Sequence, residues 1–184
     1  MRRIIWAGLA AAGVLTLSAG IFFLYQQNRQ KNLQRVSYTE WEIRRLLQAG
    51  DYQKARDLIQ KTKDNAGPLR PLLLSYLLKM QDTNEEGILK DILESTKDRD
   101  LSALYRERLA FYYYTKGQYN KALQELTSIT EENFNYPSAQ ILKAQVQMAL
   151  GNKSEATKIL NTIAEKYRGT YWENLSRLIL SEVI

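Results

Sequence analysis

The chain has 184 residues and a net charge of +6, enough for one domain and a small appendage. It has no cysteine and no histidine, which excludes disulfides, thiolate chemistry, Ser-His-Asp and Cys-His catalysis, the common zinc sites and the usual neutral-pH proton shuttle. The charge is unevenly placed: residues 26–80 carry 11 Lys and Arg against 5 acids, residues 81–184 carry 13 against 15.

Residues 1–3 form a short tail with Arg2 and Arg3, and the following 22 residues, Ile4 to Tyr25, carry no charge. As a helix this run spans about 33 Å, enough for a bilayer core, and it predicts a transmembrane anchor over 4–25. Ser18-Ala19-Gly20 would serve as a cleavage site, but the apolar run continues through Ile21-Phe22-Phe23-Leu24-Tyr25, further than a signal peptide needs. Gly8, Ala12, Thr16 and Gly20 recur every four residues. That stripe suits close approach of a second membrane helix, or reflects only how common small residues are in such segments. A basic tail ahead of the first hydrophobic segment places the N-terminus inside and the remainder outside. Residues 26–36, polar and free of Gly and Pro, read as a helical stalk.

The domain that follows, 37–184, reads as helical hairpins. Ser37-Tyr38-Thr39-Glu40 and Thr39-Glu40-Trp41-Glu42 have the form of capping boxes that open a helix. Gly50 ends it, and Asp51-Tyr52-Gln53-Lys54-Ala55 starts its partner, closing a first hairpin at about 37–64. The second, about 68–98, follows the break at Asn65-Ala66-Gly67-Pro68. Its first helix is apolar nearly all round (Leu72, Leu73, Leu74, Tyr76, Leu77, Leu78), so it must be covered on most sides. The third and fourth, about 102–131 and 137–168, repeat one another. Gly117-Gln118-Tyr119-Asn120-Lys121-Ala122 returns as Gly151-Asn152-Lys153-Ser154-Glu155-Ala156, and Leu126 with Leu160 and Ile129 with Ile163 keep the same offset of 34. A fixed period of that size predicts stacked supersecondary units.

Packing explains the residue types. Ala55, Gly87, Ala122 and Ala156, spaced 32, 35 and 34, occupy the place where paired helices come closest. Gly117 and Gly151 end the first helix of their hairpins in the left-handed conformation, and Asn152 with Glu155 predicts a capping box. Pro137 suits a first helical position. A last helix, 171–184, closes the stack as a cap through Tyr171, Leu175, Leu178, Ile179 and Val183. Leu180 and Ile184 fall on its other side, as a contact patch or as stray apolar residues.

These residues resemble the tetratricopeptide pattern W-x2-L-G-x2-Y...A-x3-F...P in the turn and second helix, with Arg106 and Gln140 at the Trp position. The resemblance implies an all-α fold: a transmembrane helix followed by a right-handed α-solenoid of such hairpins with a C-terminal capping helix. It implies a concave groove lined by first helices, here Arg44, Tyr76, Lys79, Glu107, Phe111, Tyr114, Ile141, Gln145 and Met148. Anchor and repeats together resemble the YfgM-type ancillary subunit of the bacterial SecYEG translocon. That likeness implies a single-pass inner-membrane protein with a cytoplasmic N-terminus and periplasmic repeats, tied to the translocon and to periplasmic chaperones or client chains.

No Gly-rich phosphate loop and no metal-ligand spacing occurs, and the acid pairs Glu85-Glu86, Glu131-Glu132 and Asp98 with Asp100 fall at turns and helix starts, where they offset helix dipoles. Phe111-Tyr112-Tyr113-Tyr114 could stack bases, but the repeat register makes Tyr113 core. The expectation is therefore a non-enzyme with no cofactor, metal, nucleic acid or small-molecule substrate, whose partners are proteins and membrane lipid. A scaffold of another membrane complex and a non-catalytic subunit of a membrane enzyme are the alternatives.

Overall fold

In the computed structural model the backbone is described for residues 2–80 and 84–183, and side chains for 18–80 and 84–182. All regular structure among the described residues is helical. The chain divides into two compact units, 1–73 and 74–184.

In the first unit, helix α1 runs from Arg2–Gln48 without interruption and α2 from Tyr52–Thr62. The boxes at Ser37 and Thr39 therefore do not open a helix; the Thr39 hydroxyl donates back to the Arg35 carbonyl at 3.0 Å. α1 is exposed through Ile21–Tyr25 and becomes a packing surface only near its end, where Val36 and Ile43 are buried together with Ala55 and Ile59 of α2. Two 3-10 turns, Lys63–Asn65 and Gly67–Leu69, lead out of α2, and the Asn32 amide donates to the Asn65 carbonyl at 3.1 Å, fastening α1 to this connection.

The expected membrane helix and the single-pass inner-membrane location are corrected here: among the described residues, no helix is long and apolar enough to cross a membrane. Most of the expected anchor, 4–17, lies outside the residues whose side chains are described; its described part, 18–25, passes directly into Gln26-Gln27-Asn28-Arg29-Gln30-Lys31 and is too short an apolar run to cross a bilayer core. The side chains of Gly8, Ala12 and Thr16 lie outside the described residues; Gly20 is exposed, with open space where a Cβ would stand. The expectation of lipid contact, which depended on the anchor, is withdrawn with it.

Helix α3, Arg70–Lys79, crosses from the first unit into the second. Leu73, Leu74, Tyr76, Leu77 and Leu78 are all buried, so the helix is covered on most sides, as its composition requires. The second unit continues with α4 (Glu85–Ser95), α5 (Arg99–Thr115), α6 (Tyr119–Thr127), α7 (Tyr136–Ala149), α8 (Lys153–Lys166) and α9 (Tyr171–Val183). α5 packs on α6, α7 on α8, and α8 on α9, each pair antiparallel across a short turn.

The turns share one hydrogen-bond pattern. Gly50, Gly117 and Gly151 all have positive φ. In each case the glycine N–H bonds three residues back and the next N–H five back: Gly117 to Tyr114 with Gln118 to Tyr113, and Gly151 to Met148 with Asn152 to Gln147. This double closure satisfies the last helix carbonyls and needs a residue tolerant of the left-handed region. The expected box at Asn152 does not form, because its side-chain amide donates instead to Gln147 Oε1 at 2.9 Å. Ala55, Ala122 and Ala156 are fully buried. Gly87 differs: it sits in the first turn of α4, where Asn84 caps its N–H at 3.2 Å and crowds the place of a Cβ.

A core of buried residues lies where α7, α8 and α9 meet, around Ile141, Ala144, Ala156, Ile159, Leu160, Ile163 and Ile179. Trp172, Leu175 and Leu180 pack against it from α9. The face of α9 turned to the core is thus rotated from the expected one: Leu180 points inward, while Tyr171 and Leu178 are exposed.

Candidate functional site

Three helices contribute to one open cavity in the second unit. Because α5, α7 and α9 stand at equivalent places in successive repeats, their equivalent faces come side by side at the repeat spacing. Leu104, Ser138 and Trp172 are 34 apart, as are Glu107, Ile141 and Leu175, and all six line a groove of about 680 Å³. Arg108, Leu142, Phe111 and Gln145 extend the same rows, and the loop before α7 adds Phe134 and Asn135.

That loop is held by its asparagines. Asn133 accepts from the Thr130 N–H at 3.0 Å and donates to Asp100 at 3.3 Å, and Asn135 donates to the Ala103 carbonyl at 3.0 Å and to Glu107 Oε2 at 2.7 Å. Both are nearly buried, while Phe134 between them is 64% exposed at the groove edge. The two polar anchors bind the loop to α5 and leave the intervening aromatic ring uncovered. Asn135 Oδ1 is buried without a hydrogen-bond partner.

Several interactions stiffen the walls. Arg106 on α5 pairs with Glu125 on α6 at 2.9 Å, and Arg108 reaches Glu85 at 3.4 Å. The Tyr113 hydroxyl donates to Glu86 at 2.9 Å; burial, then the neighbouring Glu86 carboxylate, pushes its phenol above the ordinary value. Tyr113 is core, as the register requires. At the start of α9, Glu173 accepts from the Gly169 N–H at 2.6 Å and from Arg177 at 2.9 Å, and these two bonds hold its carboxyl below the ordinary range.

Of the nine residues expected to line a groove, Glu107, Phe111, Ile141 and Gln145 do so together. Tyr114 is half-buried beside the rings of Phe111 and Tyr119, and Met148 packs against the α7–α9 core. Tyr76 is only 8% exposed, with the Lys79 ammonium 6.0 Å from its ring centre. Arg44 belongs to the first unit, where it pairs with Glu40 at 2.8 Å. Leu104, Ser138, Trp172 and Leu175 were legible by carrying the 34-residue step into α9. Phe134 and Asn135 carry no periodic signal. Among the described residues no group of His, Cys, Asp or Glu is arranged to hold a metal ion.

Comparison with known proteins agrees with the repeat register. Residues 113–179, from the end of α5 through most of α9, match the family model described as tetratricopeptide repeat. The chain is also similar to a protein of Aquifex aeolicus (strain VF5) described as "Uncharacterized protein", 29% identical over 170 residues that make up 92% of this chain and 90% of that one. No solved structure matches the chain. The family match supports a tetratricopeptide-repeat protein, and repeats of this kind are modules for protein–protein interaction, typically without catalysis of their own.

Proposed function

We propose that this protein is a non-catalytic interaction adaptor that holds a segment of another polypeptide in the groove of α5, α7 and α9. One observation carries the reading: equivalent positions on three successive repeat helices converge on a single open, mostly apolar cavity, with Phe111 and Phe134 more than half exposed within it. Leaving such rings in water costs free energy that a docked apolar side chain recovers, at about 25 cal/mol per Å² covered. A groove with this lining suits an extended or helical peptide anchored by a few side chains.

Translocon and chaperone-network chains are the finer form of the proposal, and the repeat part of the sequence resemblance supports it. The test is photocrosslinking in cells from a photoreactive residue at Phe111, with a control at Lys158 on the outside of α8. Crosslinks to SecY or to a chaperone from Phe111 alone are the expected result. Other polypeptides captured from Phe111 alone would keep the adaptor and remove the translocon. Equal capture from both positions, or none, would overturn the groove as the binding surface.

A further inference from the structure

We propose that the groove selects a basic side chain, Lys or Arg, flanked by bulky apolar residues in its polypeptide partner. This rests on the adaptor reading and adds the chemistry of the occupant. Within the cavity, Glu107 presents a carboxylate that is hydrogen-bonded by Asn135 but paired with no cation of the lining. Glu107 is half-buried and fixed through the 2.7 Å bond from Asn135, and Asn135, 5% exposed, has already committed its amide hydrogens to Glu107 and the Ala103 carbonyl. Its Oδ1 has no donor. A carboxylate held among apolar and aromatic side chains is complemented by a group that brings only donors and a positive charge, and ammonium and guanidinium groups are the two side chains of that kind.

The remaining lining fits the same occupant. Phe111, Phe134 and Trp172 provide ring faces, to which a cation is attracted as well as an apolar side chain. The cationic side chain of the lining, Arg108, is already directed to Glu85 at 3.4 Å, so the pair leaves Glu107 as the groove's uncompensated charge. The hydrogen bond from Asn135 holds the Glu107 carboxylate in place before any partner arrives, which lowers the ordering cost of binding.

The test is fluorescence anisotropy with the full chain and dye-labelled twelve-residue peptides, sharing Leu and Phe on either side of one variable position occupied by Lys, Gln or Glu. Lys is expected to bind about tenfold more tightly than Gln, with Glu weakest. The Lys advantage should shrink as salt is raised. Glu107→Gln keeps an acceptor for Asn135 and should bring Lys and Gln to equal affinity, while its melting temperature reports that the fold is intact. Equal binding of all three peptides by the unaltered chain would remove the basic selectivity and leave the adaptor reading standing. Preference for Glu would overturn the inference in favour of Arg108 as the selective group. No binding of any peptide would overturn both readings.

Discussion

Helices α7 and α9 occupy the same register one repeat apart, yet they differ in what covers them. Ala144 of α7 is 0% exposed under α8, whereas its counterpart 34 residues on, Leu178 of α9, is 59% exposed. Pro137 and Tyr171 form a second such pair, one buried and the other 66% exposed. On the opposite side the two helices agree: Ser138 and Trp172, Ile141 and Leu175 line one groove. Exposure in a stacked array is therefore a property of the neighbour a face receives, and local hydrophobicity does not set it. The larger side chain is the one left in water.

The comparison can be broken or sharpened by substitution. The largest effect belongs to the core that α7 and α9 share. Leu160→Ala removes a side chain with no exposure at the centre of the α7–α9 cluster and should lower unfolding free energy in denaturant by about 2–5 kcal/mol. A smaller but more pointed contrast comes from the paired positions. Ala144→Leu forces three further heavy atoms into a closed contact and should cost about 1–3 kcal/mol, while Leu178→Ala should stay within about 0.5 kcal/mol. Equal costs at the two sites would mean that α9 is as covered as α7.

A change in the stabilising direction is expected at Ser176. Its hydroxyl is fully buried with no hydrogen-bond partner, and its register counterpart is Leu142. Ser176→Ala should raise stability by up to about 1 kcal/mol, read as a higher midpoint in urea with an unchanged slope. The smallest effect is electrostatic. Glu173 titrates below its ordinary 4.5 because of the Gly169 N–H and then Arg177, so the unfolded chain binds the proton more readily than the folded one. Its contribution is complete above pH 4.5 and is lost as the pH falls through the lower folded value. Glu173→Gln should flatten stability against pH in that acid window and leave the profile above it parallel to the original.

Much of the second unit was legible because a 34-residue period repeats both the glycine turns and the small residues under them. Ala122 and Ala156 are buried and Gly117 and Gly151 have positive φ for the reasons their types imply. Four groove residues, Glu107, Phe111, Ile141 and Gln145, followed from the same register. What escaped were features with competing local solutions. Asn152 had two hydrogen-bond choices and took Gln147 over the helix start, and Ser37 and Thr39 have the form of a helix beginning inside a helix that simply continues. The apolar run that predicts a membrane anchor has eight described residues in α1, 18–25, and these join a long polar surface.

By itself the sequence determined the helical hairpins, their period and their turn residues, because these depend on contacts three to five residues apart and on the φ that glycine alone takes without strain. Only the tertiary structure decided which face of α9 meets the core, that Phe134 is held at the groove edge by its two asparagine neighbours, and that Asn135 spends its donors and leaves an acceptor unmatched. Those outcomes turn on which backbone atoms a distant segment brings within hydrogen-bond reach, and such distances are set by packing between helices far apart in the chain.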